Sequence, residues 1–511
     1  MAALVLTSTQ MRAAEKYTIE GMGVSSLLLM ERAGRALAKE CVRLAPAGDI
    51  LCVCGGGNNG GDGFVCARLL KAKGRAVDVV CLAKKFSPDC TVNMEKWTGA
   101  GGICFTEIPE KKYALVVDCL FGTGFHGSLE NENKSVVEQI NALKEEGAKV
   151  LSADIPSGVD GENGWVDGVA VRADVTLWIG EVKTGVLFND GIDYAGEVKR
   201  AEIGVALSEA GYACWTDKVL VKSLLPARKR NSHKGTYGKA AIVAGSIEYT
   251  GAAYLSAAAC IRAGAGYTTL FLPKKLLPFY ALKAPEILLK GISGGDRYVF
   301  NSKKMEELLI YDSIAFGMGM GVSEEVFKGA SYLLKNYTGK LLLDADALNS
   351  IAYFSWGKLD KLFAKKKCDV ILSPHIKEFS RLSSWTAEEI LKDSLSLAQR
   401  FSKEYGVTLL LKNACTIITN GERTALNTTG NSGQAKGGSG DVLAGVIAGL
   451  CAGGLSAYDG GVVGAYLVGK SAEIALPDVG EYSMTASELI AYLPKTFLFV
   501  TENTDENGGE Q

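Results

Sequence analysis

The chain has 511 residues, more than one hydrophobic core normally supports, so the sequence predicts two or more domains. It is 47% hydrophobic and 22% charged, which excludes global disorder. Lys+Arg 55 against Asp+Glu 57 leaves a net charge of -2, so no overall field draws the protein to nucleic acid or an anionic membrane, and small neutral or phosphorylated ligands are expected.

The opening residues lack a basic stretch followed by a full apolar run, so they read as neither a secretory signal nor a membrane span. From Ser8 to Leu44 apolar residues recur at three- and four-residue steps, which predicts one or two helices. Then "DILCVC", "AVDVVCLA", "YALVVDCL", "KVLSADI" and "ADVTLWIG" alternate with helix-like stretches, the pattern of a parallel sheet covered on both faces. The thirteen cysteines show no CxxC pair, and many sit in such apolar runs, so they are expected as reduced thiols in a cytoplasmic protein.

"CGGGNNGGDGF" follows the first of these strands. Gly55, Gly57 and Gly60 satisfy G-x-G-x-x-G with Asp78 about twenty residues on, a weak dinucleotide signal by itself. Asn58, Asn59 and Asp62 add side-chain oxygens that a plain pyrophosphate cradle does not need. Two further strand ends carry Asp118 before "GTGFHGS" and Asp154 with Ser157 in "ADIPSGVD". Ligands bind outside the carboxyl ends of such strands, so the three loops are expected to converge. Asn59, Asp118 and Ser157 then offer hard oxygens suited to an alkali or alkaline-earth cation, and Asp154 is a carboxylate left free to move protons. Taken singly, each acid serves equally as a turn or helix cap. His126, alone in its loop, reads as structural.

Around Ser208 to Gly235 the order weakens into "ARKRNSHKG", taken as a solvated boundary between an N-terminal domain, 1–212, and a C-terminal one, 222–500. The alternation restarts with "KAAIVAGS", "DSIAFGMGMG", "KLLLDADALN", "CDVILSPH" and "VTLLLKN", which predicts a second parallel α/β domain. Val442 to Gly469 reads as a buried helical region, and the tail "TENTDENGGEQ" as disordered. Strand ends here carry Asp344, Asp346, His375, Glu378 and Lys412, the last placed to meet a phosphate. For Asp344 and Asp346 metal binding and turn hydrogen bonds stand even, and His375 serves equally as a turn residue. "QAKGGSGDVLAG" sets Asp441 in the first turn of a glycine-opened helix. Backbone N–H groups of Gly438 to Gly440 would hold a phosphate there while Asp441 takes a proton from an acceptor hydroxyl. The positive helix end is expected to keep Asp441 ionised at neutral pH. The alternative is an acid that only stabilises the helix start.

These motifs together resemble those of the bifunctional NAD(P)H-hydrate repair enzymes, an epimerase fused to an ADP- or ATP-dependent dehydratase. "NNGGDG", "VVDCLFGTGFHG" and "ADIPSGVD" carry the likeness in the first half. "HKGTYGKAAIVAGS", "TGAAYLSAAACIRAGAG", "LLLDADALN", "SPHIKE" and "GNSGQAKGGSGDVLAG" carry it in the second. The resemblance implies an α/β protein of two parallel-sheet domains, a Rossmann-like three-layer domain followed by a ribokinase-like one. It implies that Asn58, Asn59, Gly60, Gly61 and Asp62, then Gly122, Thr123, Gly124, Phe125, His126, Gly127 and Ser128, and finally Asp154, hold the hydrated nucleotide. Asn59, Asp118 and Ser157 would hold K+. In the second domain Ala252, Gly321, His375 and Asp441 would contact substrate, and Lys412, Asn413, Ala414, Cys415, Thr416 and Gly440 the adenine nucleotide, with Mg2+ required. Met318, Lys377, Asn413 and Cys415 depart from the family's usual residues. Expected partners are NADHX, NADPHX and ADP, with no nucleic acid, no membrane, and copies of the chain in a homo-oligomer. Two rivals are a ribokinase-type small-molecule kinase with a regulatory N-terminal half, and a non-catalytic scaffold.

Overall fold

The computed structural model describes residues 3–207, 212–355 and 357–502. The disorder expected of the tail falls on 503–511, outside the described residues. Contacts divide the chain into two compact units, Ala3–Tyr212 and one running on from Ala213.

The opening apolar periodicity forms a helix Ser8–Lys16, a π-helical turn Tyr17–Gly21 and a helix Ser26–Leu44. Strands of the first unit are β1 Leu4–Leu6, β2 Ile50–Cys54, β3 Val77–Cys81, β4 Cys104–Phe105, β5 Leu115–Cys119, β6 Lys149–Ala153, β7 Val175–Ile179, β8 Val182–Lys183 and β9 Glu197–Ala201. Seven of them form one sheet in the order β4-β3-β2-β5-β6-β7-β9, parallel throughout. The remaining pair, β1 and β8, lie side by side in parallel. Every residue of β2 and β5 is buried, because alternate side chains feed two separate cores. Cys52, Cys54, Val117 and Cys119 pack on one face with Leu29, Leu37 and Phe64. Leu51, Val53 and Val116 pack on the other with Val137 and Ile140. Such strands read as continuous apolar runs, as the sequence pattern implies.

The second unit holds β10 Ala213–Trp215, β11 Lys239–Val243, β12 Tyr267–Pro273, β13 Leu288–Ser293, β14 Ser313–Phe316, β15 Lys340–Leu343, β16 Asp369–Leu372, β17 Thr408–Leu411, β18 Thr416–Thr419 and β19 Thr424–Asn427. Their order is β13-β12-β11-β14-β15-β16-β17-β18-β19-β10. From β13 to β17 the pairing is parallel, the sheet expected of a parallel α/β domain. Beyond it β17, β18 and β19 run antiparallel. Lys412–Cys415 and Asn420–Arg423, the two connections, are too short to hold a crossover helix.

Helix Ser439–Ala452 is buried from Val442 onward. Its glycines let it lie against helix Thr250–Arg262: a Cβ on Gly445 would fall 2.0 Å from the Ser256 carbonyl, and one on Gly449 2.5 Å from that of Cys260. The chain leaves this helix at Gly453 and forms another over Ala457–Ser483. Among the described residues no helix is long and apolar enough to cross a membrane.

Strand order reverses between β2 and β5 in the first unit and between β11 and β14 in the second. Crevices open at such reversals, outside the carboxyl ends of the strands. The glycine loops occupy those two places.

Candidate functional sites

In the first unit three loops meet around Asp118, which is fully buried at the end of β5. Ser157 Oγ donates to Asp118 Oδ1 at 2.6 Å, and Ser157 N and Ser152 Oγ donate to Oδ2 at 2.8 and 2.9 Å. The Leu120 N–H donates to Oδ1 at 3.2 Å. Burial raises the Asp118 carboxyl, and the Ser157, Leu120 and Ser152 bonds pull it back, with a net upward shift. Asn59 Nδ2 donates to the Phe121 carbonyl at 2.7 Å, which leaves Asn59 Oδ1 buried with no partner. An orphaned amide oxygen beside a carboxylate and a hydroxyl is the donor set of a hard cation. Among the described residues no group of three His, Cys, Asp or Glu side chains could hold a metal.

The glycines of the first loop are required by close backbone approach: a Cβ on Gly55 would fall 1.9 Å from the Leu120 carbonyl, and one on Gly60 1.8 Å from that of Gly55. Gly61 is buried, and Asn58 Oδ1 accepts from Ser87 Oγ at 2.8 Å. Gly122 faces both Asn59 and Asp154: its missing Cβ would lie 3.4 Å from Asn59 Cβ and 3.6 Å from Asp154 Oδ2. Thr123 and Phe125 are half-buried beside it, whereas Gly124, His126, Gly127 and Ser128 are exposed. His126 Nδ1 pairs with Asp160 Oδ2 at 2.8 Å.

Asp154 is not the free carboxylate that its sequence context suggests. Lys183, buried to 1% exposure, pairs with Asp154 Oδ1 and with the Ile179 carbonyl. The Ile179 N–H donates to the same oxygen at 3.1 Å. Asp154 takes a left-handed φ of 69°, which is uncommon without glycine. Asp62, three residues after Asn59 in helix Asn58–Ala72, is buried at 8% exposure, without a hydrogen bond to its carboxyl among the described residues. Burial, then the charges of Asp154 and Glu15, push Asp62 well above the carboxylate range. Lys183 and Glu15 carry no motif and escaped the sequence reading. Asp78 sits at the start of β3, where it accepts from the Tyr113 hydroxyl at 2.8 Å, so the dinucleotide-fingerprint acid lies at the wrong strand end for a ligand.

In the second unit the site gathers at the mouth of helix Ser439–Ala452. Gly438 precedes it with φ 100°, and among the described residues no side chain caps it, so its first N–H groups have no side-chain partner. Lys412, at the end of β17, pairs with Asp344 Oδ1 at 2.9 Å. Burial lowers the Lys412 ammonium, but Asp344 and Glu378 outweigh it and the net shift is upward. Gly440 fits beside this pair, its missing Cβ 3.5 Å from Lys412 Nζ. Burial and the Asp344 charge push Asp441 up to about 7. That corrects the expectation that the helix end holds Asp441 firmly ionised, because desolvation and a neighbouring carboxylate exceed the dipole.

His375 joins β17 through a parallel bridge to Lys412. It caps helix Ile376–Ser383, its Nδ1 accepting from Lys377 N at 3.1 Å and Glu378 N at 3.3 Å, so its proton resides on Nε2. Burial and Lys412 lower its pKa. Asp346 Oδ2 accepts from Gly321 N at 2.8 Å, which gives this acid the turn role. Ala252 meets the second glycine turn, 2.8 Å from a Cβ on Gly319, and Met318 is buried behind it. Asn413 and Ala414 are exposed and Thr416 is half-buried, while Cys415 turns inward at 3% exposure. Ser246 and Ser373, unmarked in sequence, end β11 and β16 with buried hydroxyls that lack partners.

Residues 240–495 match the family model described as NAD(P)H-hydrate dehydratase, and residues 26–185 the one described as YjeF-related protein N-terminus. The bifunctional NAD(P)H-hydrate repair enzyme Nnr of Thermofilum pendens is 34% identical over 96% of this chain and 94% of its own. That of Escherichia coli is 30% identical over 98% and 94%. A crystal structure of ADP/ATP-dependent NAD(P)H-hydrate dehydratase from Bacillus subtilis, co-crystallised with ATP/Mg2+, is 28% identical over 56% of this chain and 98% of that one, with a TM-score of 0.49. The chain belongs to the family of bifunctional NAD(P)H-hydrate repair enzymes.

Proposed function

We infer that the chain repairs hydrated nicotinamide nucleotides, interconverting the R and S hydrates in residues 1–212 and dehydrating the S epimer at the expense of ADP or ATP in residues 222–500. The juxtaposition of Lys412, Gly440 and Asp441 at an uncapped helix mouth carries the dehydratase reading. A terminal phosphate would rest on the N–H groups of that mouth, with the Lys412 ammonium beside it. Asp441 would take the proton of the substrate hydroxyl as the phosphoryl group passes to that oxygen, giving AMP when ADP is the donor. Phosphate then departs with the C–O bonding pair, the ring loses a proton from the adjacent carbon, and the reduced nicotinamide is restored. A pKa of about 7 suits Asp441 to that exchange. His375 Nε2, Ala252 and Gly321 would contact the substrate, and Asn413 to Thr416 the adenine nucleotide.

Mg2+ is bound through one or two carboxylates and substrate phosphates. Asp344 would help hold it, since Oδ1 engages Lys412 while Oδ2 points towards Gly440. When bound it supplies charge neutralisation on the phosphates. In the first unit Asn59, Asp118 and Ser157 would hold K+, supported by the orphaned Asn59 Oδ1. The loops Asn58 to Asp62 and Gly122 to Ser128 would hold the hydrate, with Asp154 moving the proton.

The free state of every described cysteine supports a cytoplasmic setting. Phe279, Leu282 and Leu288, exposed beside the edge strand β13, support a homo-oligomer, which light scattering would read. The kinase rival predicts a stable phosphate ester. Purified protein given hydrated NADH, ADP, Mg2+ and K+ should instead regain the near-ultraviolet absorbance of the dihydropyridine and release free phosphate. An accumulating ester would overturn the proposal.

A further inference from the structure

Lys183 and Asp62 are two buried ionisable groups of the first site to which the proton transfer described above gives no part, and their surroundings give them complementary tasks. Lys183 reaches the site from β8 and spends its ammonium on Asp154 Oδ1 and the Ile179 carbonyl. With the Ile179 N–H on the same atom, one oxygen of Asp154 is fully committed. The other, Oδ2, has no donor among the described residues and faces Gly122, where a Cβ would lie 3.6 Å away. Asp62 follows Asn59 by three residues in helix Asn58–Ala72, hence on the same helix face, and Asn59 and Asp154 Oδ2 flank Gly122 together. Asp62 is buried with no donor to its carboxyl among the described residues, the surroundings of a carboxyl that keeps its proton.

We propose that Asp62 and Asp154 act as an acid and base pair in the epimerisation, with Lys183 as the positioning residue that holds Asp154 by its Oδ1 and offers only its Oδ2 to the substrate. The proposal rests on the epimerase reading above. In the forward half, Asp62 gives its proton to the departing hydroxyl; the C–O bond breaks with its electron pair on oxygen, leaving water and an iminium at the ring nitrogen. In the return half, water adds to the opposite face of that carbon, the ring nitrogen recovers its lone pair, and the water's proton passes to Asp154 Oδ2. Transfer of a proton from Asp154 to Asp62 closes the cycle with no net change. The groups facing Asp62 are Glu15 from helix Ser8–Lys16, Asp154 and Lys183, with the Cys90 and Cys119 thiols behind it. Burial and the two carboxylates favour its protonated state, and Lys183 opposes them.

The test uses the full chain and hydrated NADH enriched in one epimer, following its conversion to the other without nucleotide. Asp62→Asn should lower kcat about 100-fold with KM within about threefold, and should erase the fall in rate at alkaline pH. Lys183→Met should lower kcat similarly with KM within about threefold, because Asp154 Oδ1 loses the contact that orients it, and Lys183→Arg should recover part of the rate. Asp62→Asn with the parent's kcat and alkaline limb overturns the pair, and so does Lys183→Met that alters thermal stability alone. If Lys183→Met does not fold, Asp62→Asn decides by itself. If the parent interconverts no epimers, the epimerase reading fails; if the parent works and Asp62→Asn keeps the alkaline limb, only the acid and base assignment fails.

Discussion

The Lys412 ammonium lies 2.9 Å from Asp344 Oδ1, and Gly440 presents its bare Cα to both. A Cβ there would sit 3.5 Å from Lys412 Nζ and 3.9 Å from Asp344 Oδ2, ordinary contact distances. Gly440→Ala therefore creates no clash. It places a methyl group where a phosphate would approach the amide hydrogens. Alanine is the better helix residue by about 0.5–1 kcal/mol, so the variant should unfold at a slightly higher temperature. Its KM for ADP should rise about tenfold at the same time. A variant with unchanged KM would place the phosphate elsewhere.

Asp441→Asn removes the proposed proton acceptor while preserving shape. Dehydration should fall by about 100-fold or more, with epimerisation intact in the same chain. The pH dependence follows from the upward shift of Asp441 to about 7. Only the carboxylate accepts a proton, so the parent's dehydration rate should climb as pH rises through neutrality and level off above it. Stopped assays across that range check the slope, and a flat profile would count against Asp441.

The two folds were legible because fully buried parallel strands read as unbroken apolar runs, and the glycine loops because backbone crowding at Gly55 and Gly60 admits no side chain. The edge of the second sheet was missed although "TNGERT" carries an Asn-Gly hairpin signal, since "TIIT" and "TALN" are too short to stand out. Lys183 was invisible for a different reason. In "IGEVKTG" it looks like any strand lysine, and its pairing with Asp154 arises only when β8 and the loop after β6 are folded together. Nor could the sequence rank burial against the helix dipole at Asp441, because desolvation is a property of the packed site.

Asn59 offers a test of K+ that leaves the second site untouched. Replacing K+ by tetramethylammonium at constant ionic strength should slow epimerisation by about tenfold or more. Asn59→Ala, which removes the unpartnered Oδ1, should be slow in either salt. Dehydration of the S epimer should not respond to Asn59→Ala. Equal sensitivity of parent and variant to K+ would move the cation to other ligands.

Asp118 ties the three loops together as well as offering a ligand to the proposed cation. Asp118→Ala would strip acceptors from Ser157, Ser152 and the Leu120 N–H in a fully buried place. Each abandoned donor costs about 1–3 kcal/mol, so the first unit should lose several kcal/mol of stability, enough to separate its melting from that of the second. A calorimetric trace with one unshifted transition would show that the three loops do not depend on this carboxylate.

Asp62 should lower stability at the pH where it works. Its folded pKa is raised by burial and by Asp154 and Glu15, so the folded state binds a proton that the unfolded chain releases near the ordinary carboxylate value. For an acid shifted upward, the stabilising contribution is complete below the unfolded pKa of about 3.9 and is lost as pH rises through the folded value. Asp62→Asn keeps the shape and cannot ionise. Near pH 4 variant and parent should therefore unfold at similar temperatures, whereas towards pH 8 the variant should unfold at the higher one. Thermal unfolding across that interval reads the difference directly. If the gap stays constant with pH, Asp62 gains no proton on folding, and a neutral acid at that place in the epimerase site is ruled out with it.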